Sequence, residues 1–496
     1  MPARRFALVD LGSNSIRLVL LDRDRPFAAP LINEKSVVEL GTGRAADGSL
    51  TTKRINTALN AFRHFKWLLH GLGVTEIHIL ATAAVREAPN ASDLLLAVEA
   101  LMGTRVQVLS GLEEARLCAT GVMLACPGAE GLVADLGGGS LELALVRSGA
   151  VGPCISLPLG VLRLETLGLS RARTALTSAF EQIPWLQNLD AGDQLYLVGG
   201  TWRALARAHM AHKAYPLAVL HRYAVSTKSL RSYAEKIITC PTHRLDAMEP
   251  VSGPRRRKLP WAGLAVSCLI QTLSTERAVF SGAGLREGFS AKLLGRDDEL
   301  TLPQVQRYDR AIRALIPDGG RFGTTAAHLY SWIEPLFDDE VDSLKDRRAQ
   351  ACQLFDFGWE THPSYRDVDI PSTVLHATAL TQNHRDRTYL GLVLLLRHGG
   401  NHKDVKAHPW LKLLKLLPKK QRRHALVTGR ALYLAHRVSR GIVPLIQATS
   451  LKVEDLRLVL QVHAQELMNI QTHYFPALTH LAEALALEPE VREVPL

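Results

Sequence analysis

The chain has 496 residues, of which 47% are hydrophobic and 22% charged, and its formal net charge is +11. This length exceeds what one hydrophobic core supports and predicts about three domains, and the composition excludes a disordered or fibrous protein. No apolar run approaches the ~20 residues of a membrane-spanning helix, and the N-terminus lacks a signal-peptide pattern. Six scattered cysteines without CxxC spacing indicate reduced thiols, so we expect a cytoplasmic protein that does not associate with membranes.

The first 125 residues alternate between strand and helix patterns. FALVDLG (6–12) and SIRLVLLD (15–22) are apolar strand candidates separated by a short turn. Residues 51–73 place apolar side chains at helical spacing, EIHILATAAV (76–85) predicts a strand, and a further helix starts near Leu112.

The phrase at the first turn occurs twice. Residues 8–21 read LVDLGSNSIRLVLL and residues 133–146 read VADLGGGSLELALV, which aligns Asp10 with Asp135 and Arg17 with Glu142. A period of 125 residues is too long for a solenoid. It predicts two similar α/β domains in tandem, over 1–125 and 126–297, before the polar linker RDDELTLPQ (296–304).

Residues 298–496 read as helical throughout, which predicts an all-α third domain. The helical segments are 329–337, 372–380, 389–399, 411–417, 423–439 and 455–468. Eight histidines between 362 and 436 raise the alternative of a metal-dependent phosphohydrolase of the HD type. Because no His-Asp dyad with the matching ligand spacing occurs there, we favour a non-catalytic helical domain.

Positive charge is concentrated in one segment. Residues 385–440 contain fourteen Lys and Arg against Asp386 and Asp404, a net charge of 14 − 2 = +12, so the remainder is nearly neutral. Such a segment attracts polyanions, although solvated helix faces give the same pattern.

A turn built from Gly, Ser and Asn points successive backbone N–H groups into one concavity, which binds phosphate oxygens. An aspartate just before each turn, Asp10 and Asp135, stands where it can hold Mg²⁺ directly or through water. Two such turns facing each other predict a phosphate clamp.

At this point the residues resemble a known family. DLGSNS and DLGGGS resemble the two phosphate motifs of the acetate/sugar kinase–actin-like superfold. ATAAVREAPN (81–90), SGLEEARL (110–117), PLGVLRLE (158–165), GGTWRALA (199–206) and SGAGLREG (281–288) narrow the resemblance to the exopolyphosphatase/guanosine-pentaphosphatase family, over residues 1 to about 295. The resemblance implies two tandem ribonuclease-H-like (actin-like) α/β domains followed by the helical domain.

The resemblance also implies a reaction and its residues. The reaction is hydrolysis of a terminal phosphoanhydride by water with Mg²⁺, or Mn²⁺, as cofactor. The catalytic glutamate matches Glu114, with its neighbour Glu113 as the alternative, and Asp135, Glu142 and Asp10 are the expected metal ligands. The expected phosphate-binding residues are Gly12, Ser13, Asn14, Ser15, Arg17, Arg86, Gly137, Gly138, Gly139 and Ser140. Family members commonly form homodimers, so we expect a homodimer.

Three further motifs receive no catalytic role. We interpret Gly199–Thr201 as a helix-start turn that lines the cleft, Arg286 and Glu287 as a structural pair, and RRRK (255–258) as a solvated loop.

The expected function is processive release of orthophosphate from inorganic polyphosphate, because a long polyanion needs an extended cationic track. We assign that track to Lys412, Lys415, Lys419, Lys420, Arg422 and Arg423. The alternative is hydrolysis of guanosine pentaphosphate, and a more distant one is a protein that only binds polyphosphate or RNA. The acidic set Glu114, Asp135 and Glu142 argues against that last alternative, since carboxylates repel a polyanion unless a metal bridges them. We do not expect nucleic acid as a partner.

Overall fold

A computed structural model describes residues 4–24, 30–45, 47–316, 321–322, 325–378, 380–400, 410–463 and 471–494, without the side chains of 297 and 471. The chain divides into two compact units, residues 1–302 and 303–496. The predicted boundaries of three domains, 1–125, 126–297 and 298–496, stay predictions. No helix in the described ranges has the length and apolar character that a membrane crossing requires, and the six cysteines form no disulfide.

The first unit contains two sheets. The first sheet has the strand order β3-β2-β1-β4-β5 and the second β10-β11-β9-β6-β7-β8. The strands are β1 Arg5–Leu11, β2 Ser15–Asp22, β3 Ile32–Val37, β4 Glu76–Ala81, β5 Val106–Val108, β6 Gly131–Leu136, β7 Leu141–Arg147, β8 Ala150–Leu157, β9 Gln194–Val198, β10 Tyr223–Ser226 and β11 Arg277–Phe280.

Helices pack against both sheets of the first unit. They are α1 Thr52–Gly71, α2 Ala83–Arg86, α3 Ala91–Met102, α4 Gly111–Ala125, α5 Val161–Leu167, α6 Leu169–Glu181, α7 Gly200–His212, α8 Thr227–Ile238, α9 Thr242–Asp246, α10 Gly253–Arg256, α11 Leu259–Thr272 and α12 Leu285–Leu293. Short 3₁₀ helices span Pro184–Asn188 and Asp297–Leu300.

The two sheets repeat one topology. In each sheet, three consecutive strands pair antiparallel, β1–β2–β3 in the first and β6–β7–β8 in the second. Parallel strands then extend the sheet on the other side of its first strand: β4 and β5 in the first sheet, β9 and β11 in the second. Apolar side chains of β1 and β2 enter one core, and those of β6 and β7 enter another. The predicted fold class is confirmed in its two tandem ribonuclease-H-like α/β domains and in the helical character of the C-terminal region.

The second unit is mainly helical. Its helices are α13 Gln304–Arg313, α14 Ala326–Ile333, α15 Asp342–Gln353, α16 Arg366–His376, α17 His384–Arg397, α18 Trp410–Leu413, α19 Lys419–Ser439, α20 Val443–Gln447 and α21 Phe475–Leu485. Glu334–Leu336, Pro363–Tyr365, Leu414–Leu416 and Gln471–His473 are 3₁₀ helices.

The prediction that this region is all-α needs one correction. A three-stranded sheet has the order β12-β13-β14, with β12 Thr449–Glu454, β13 Arg457–Val462 and β14 Glu488–Glu493. We predicted a helix over 455–468, but Leu458, Leu460 and Val462 alternate along a buried central strand that pairs on both edges. A tight turn with Asp455 at φ 50° starts that strand. Residues 464–468 of the predicted helix lie outside the described residues.

Candidate active site

The repeated phrases form two hairpins with matching registers. Asp10 pairs with Arg17 across β1 and β2, and Asp135 pairs with Glu142 across β6 and β7. Each turn closes in the same way, because the backbone N–H of Gly12 donates to Ser15 O at 3.2 Å and that of Gly137 donates to Ser140 O at 3.0 Å. Local sequence alone produces this geometry, since Gly, Ser and Asn tolerate the tight turn between apolar strands.

The two turns face each other. A side chain on Gly138 would place its Cβ 2.7 Å from Ser13 Cβ, so the glycine is needed for the close approach. The turns border a cleft of about 200 Å³. Its lining includes predicted residues Asp10, Gly12, Ser13, Asn14, Ser15, Glu114, Asp135, Gly137, Gly138 and Ser140. The predicted residues Gly139, Arg17, Arg86, Glu113 and Glu142 lie outside this lining.

Adjacent glutamates at the start of α4 have different environments. Glu113 completes a capping box, in which it accepts from the Ser110 N–H at 2.8 Å while its own N–H donates to Ser110 Oγ at 3.2 Å. These hydrogen bonds lower the pKa of Glu113. Glu114 is 9% exposed and lines the cleft. Adjacent helical residues point about 100° apart, so only Glu114 faces the cleft.

Buried carboxylates lie next to Glu114. Burial, followed by the charges of Glu142 and Asp135, raises the pKa of Glu114 well above its ordinary value. Burial and Asp135 raise the pKa of Glu142 to about 7, although Ser156 donates a hydrogen bond to it at 2.8 Å. The pKa of Asp135 is raised by burial as well, and it accepts from the Cys118 thiol at 3.3 Å.

Arg86 and Arg17 were predicted to bind phosphate. Arg86 donates to the Leu109 carbonyl at 2.7 Å and to Glu114 Oε2 at 3.2 Å. Arg17 donates to Asn33 Oδ1 at 2.7 Å. Their roles toward phosphate stay predictions.

Sequence reasoning missed several cations beside the cleft. Arg286 was interpreted as a structural partner of Glu287, but its Nε lies 3.8 Å from Asp10 Oδ2 and it lines the cleft. Glu287 instead caps α12 by accepting from the Gly284 N–H at 2.8 Å. Arg203 lines the cleft and donates to the Gly282 carbonyl at 3.1 Å. The motifs GGTWRALA and GLREG contain these arginines and are the signal that identifies them.

The prediction that the RRRK segment (255–258) is a solvated loop also differs from the structure. Arg255 belongs to α10 and is half-buried, and a Cβ on Gly200 would lie 3.2 Å from its Nη2. The turn before α7, predicted to line the cleft, does so through Gly199 and Gly200. Gly199 has φ +101°, and a Cβ there would lie 2.7 Å from Asp135 Oδ1.

The carboxylates suit a divalent cation that is bound together with phosphate. Among the described residues, no group of three or more acidic, histidine or cysteine side chains is arranged so that it could hold a metal ion by itself. Mg²⁺ commonly uses one or two carboxylates together with substrate phosphates and water. Burial, and after it the charges of neighbouring carboxylates, raises the pKa values of Glu114 and Glu142, and a cation would favour the ionised forms of both.

The residues assigned to a cationic track lie on the second unit. Lys412, Lys415, Lys419, Lys420 and Arg423 are exposed, and Arg422 is half-buried with its Nε donating to the Leu417 carbonyl at 2.7 Å. Lys403, Asp404 and Lys406 of the same basic segment, with His402 and His408, lie outside the described residues. The binding role of these cations stays a prediction.

Comparison with known proteins identifies both parts of the chain. Residues 19–297 match the model of the Ppx/GppA phosphatase family, and residues 336–481 match the model of the exopolyphosphatase C-terminal domain. An exopolyphosphatase from Cytophaga hutchinsonii is similar at 24% identity and a TM-score of 0.53, over 59% of this chain and 98% of that one. A Ppx/GppA family member from Aquifex aeolicus is similar at 22% identity and a TM-score of 0.51, over 59% and 98%. At these identities the two structures establish the fold.

Proposed function

Because the chain belongs to the Ppx/GppA phosphatase family and is a phosphoanhydride hydrolase, we propose that it is an exopolyphosphatase that uses Mg²⁺ to remove terminal phosphate from inorganic polyphosphate. The observation that carries this proposal is a set of five half-buried cations beside the cleft. These cleft cations are Arg17, Lys35, Arg203, Arg255 and Arg286.

The cleft cations lie close enough to repel one another. Burial, followed by Arg286 and Arg203, lowers the pKa of Arg17 to about 10. Burial, followed by Arg255, lowers the pKa of Lys35. Arg17 and Lys35 pair across β2 and β3 of the first sheet. Arg203 and Arg255 lie on helices α7 and α10, so the cations come from separate elements of the first unit. A polyanion with a charge at every phosphate supplies the missing counter-charges.

The residues that line the cleft support the same substrate. Among the described residues that line it, none is aromatic, so no ring is present on which a guanine base would stack. A chain of phosphate groups needs no such platform.

The residues divide the work of phosphoryl transfer. The backbone N–H groups of the two turns hold the oxygens of the terminal phosphate from opposite sides, while Arg286 and Arg203 neutralise its charge. Glu114 orients the attacking water and accepts its proton, a role that its raised pKa favours. Asp135, Glu142 and Asp10 would hold Mg²⁺, and the ion would supply positive charge to neutralise the phosphate oxygens.

The substrate assignment is tested by measuring phosphate release from long-chain polyphosphate and from guanosine pentaphosphate side by side. We expect kcat/KM for polyphosphate, per chain end, to be higher by about tenfold or more. Equal or greater kcat/KM for the nucleotide would overturn the proposal in favour of a guanosine pentaphosphate phosphohydrolase.

The role of Glu114 is tested with Glu114→Gln and its neighbour Glu113→Gln as the matched control. We expect Glu114→Gln to lower kcat by about 10²–10⁴-fold while binding of polyphosphate, measured by filter retention, is kept. Glu113→Gln retains the capping box and is expected to stay near wild type. The reverse pattern of rates would assign the base to Glu113.

A further inference from the structure

The second unit contains a compact cluster of basic side chains at the ends of two helices. The arginine cluster consists of Arg321, Arg366, Arg397 and Arg440 with His398 and His436. Arg397 ends α17 and is followed by His398, while His436 lies in the last turn of α19 and Arg440 follows that helix with φ 57°.

The imidazole of His436 lies between two donors. Its Nδ1 is 3.0 Å from Arg397 Nη2 and its Nε2 is 2.9 Å from Arg440 Nη1. A neutral imidazole accepts at one nitrogen only, and a guanidinium donates only. One of the two contacts therefore joins a donor to a donor, and the ring cannot satisfy both arginines.

One buried donor of the cluster has no partner among the described residues. Arg397 is 3% exposed, stacks over Phe355 at 4.3 Å, and leaves its Nε unpaired. The Nε2 of His398 is buried and unpaired as well, but it is not a donor: burial, then Arg397 and Arg366, lowers the pKa of this imidazole to about 3, and the hydrogen bond of the other ring nitrogen to the Phe357 backbone leaves Nε2 without a proton. A buried polar group without a hydrogen bond is costly, and a buried charge without a counter-charge more so.

Positive charge exceeds negative charge in the cluster. Arg321 contacts Asp356 at 2.7 Å and donates to the Arg440 carbonyl at 3.0 Å, and Arg366 donates to the neutral carbonyls of Trp359 and Thr361. Four guanidinium groups thus face one described carboxylate and two helix C-termini, each equivalent to about half a negative charge. The remaining excess is about two positive charges.

The pKa values reflect this excess. Burial, opposed by Asp356 and reinforced by Arg321, Arg366 and Arg440, lowers the pKa of Arg397 to about 9. Burial, Arg397 and Arg440 lower the pKa of His436 to about 2. Neutral histidine is thereby kept between the arginines.

We propose that the arginine cluster is a binding site for an oxyanion of phosphate size and charge. Such an ion supplies the acceptor that the Arg397 guanidinium lacks, and it neutralises the two excess charges. Arg440 is exposed and His436 is half-buried, so the Arg440 side of the cluster faces solvent. The proposal is independent of the substrate proposed above, because it concerns only residues of the second unit.

The site is tested on the full chain by equilibrium dialysis with radiolabelled inorganic phosphate. Arg397→Met and Arg440→Gln are compared with wild type and with Arg385→Gln, a control that removes an exposed charge of the same unit. We expect each cluster variant to lose one bound phosphate per chain, or to bind it about tenfold more weakly, while the control matches wild type. The same stoichiometry and affinity in all four proteins would overturn the proposal.

Thermal unfolding separates a binding role from a structural one. A bound ion stabilises the folded state, so phosphate should raise the unfolding midpoint of wild type and of the control more than that of either cluster variant. In phosphate-free buffer Arg397→Met should be at least as stable as wild type, because replacing an uncompensated buried charge by an apolar side chain is neutral or stabilising. An equal loss of stability with and without phosphate would mean that Arg397 is merely structural. If Arg397→Met does not fold, Arg440→Gln carries the test, since Arg440 is exposed.

The source of the oxyanion is distinguished with sulfate and tripolyphosphate. Variant-dependent binding of phosphate and sulfate at similar affinity indicates the free ion. Variant-dependent binding at least about tenfold tighter for tripolyphosphate indicates a phosphate group of a longer chain. If the cluster variants weaken the binding of none of the three ions, the site is refuted.

Discussion

The thiol of Cys118 is a positioning group for Asp135. It lies one helical turn after Glu114 on α4 and donates to Asp135 Oδ2 at 3.3 Å, while Gly199 packs against the other oxygen. These contacts fix the direction of a carboxylate that we expect to hold Mg²⁺. Groups that orient metal ligands typically change metal affinity by 10–100-fold when they are removed.

We therefore predict that Cys118→Val raises the Mg²⁺ concentration for half-maximal activity by about tenfold, whereas Cys118→Ser, which keeps a donor, restores it. Calorimetry with Mn²⁺ and no substrate should show that Cys118→Val binds the ion more weakly than wild type, and that Cys118→Ser binds it about as tightly as wild type. If valine and serine behave alike in both measurements, the thiol only fills space.

His209 gives a prediction about pH and stability. It is 1% exposed, its Nδ1 is 2.7 Å from the Tyr223 hydroxyl, and burial, then Lys213 and His212, lowers its pKa to about 4. The unfolded chain therefore binds a proton between about pH 6.5 and pH 4 that the folded chain does not. Its contribution to stability is complete above pH 6.5 and is lost as the pH falls through this window.

We expect His209→Gln to lessen the acid sensitivity of the first unit. Urea unfolding between pH 7.5 and 4.5 should show that wild type loses more stability than the variant, by on the order of 2 kcal/mol. His64→Gln, an exposed change on α1, is the control. Parallel pH profiles for wild type and His209→Gln would contradict this account.

At the scale of elements, the position of Glu114 depends on the crossing of α4 and α12. The two helices meet backbone to backbone, because a side chain on Gly121 would overlap the Gly284 carbonyl and one on Gly288 would overlap the Leu117 carbonyl. Glu114 opens α4 and Arg286 lies in the first turn of α12. The crossing therefore sets the separation of a carboxylate and a cation of the cleft.

Gly288→Ala should force these helices apart. We predict a loss of stability of about 3 kcal/mol and a lower kcat, since the added methyl cannot be accommodated without a backbone shift. Gly71→Ala, near the end of α1 with open space around its α-carbon, should be neutral or slightly stabilising. Chemical unfolding and activity assays on both variants check this, and a wild-type stability for Gly288→Ala would contradict the packing described.

Elements built from local sequence were predicted well, and those decided by distant contacts were not. The hairpins around Gly12 and Gly137 follow from turn residues between apolar strands, so both were identified as strand–turn–strand units. Arg255 lies beside the cleft because α10 packs near Gly200, and no local sequence pattern encodes that contact. Strand Arg457–Val462 was mistaken for a helix because its apolar run fits both patterns until its partner strands are known.

At the scale of the whole molecule, the chain joins a cleft unit to a basic unit. The cleft and its surrounding cations belong to residues 1–302, whereas the segment 385–440, with a net charge of +12, belongs to residues 303–496. The similar structures from Cytophaga hutchinsonii and Aquifex aeolicus match 59% of this chain over 98% of their own length. Those two structures therefore contain almost nothing beyond the part that this chain matches.

We predict that residues 1–302 fold alone and hydrolyse short polyphosphate at a kcat near that of the full chain, because the residues of the cleft are all present. Without the basic segment, the KM for long chains should rise and lose much of its dependence on salt, since fewer ions are released when the polyanion binds. Steady-state kinetics with short and long polyphosphate at about 50 and 200 mM salt check this, because the affinity of a cationic surface for a polyanion falls steeply between these salt concentrations. If the truncated chain keeps both the long-chain KM and its salt dependence, the cleft cations alone bind the substrate and the assigned track has no role.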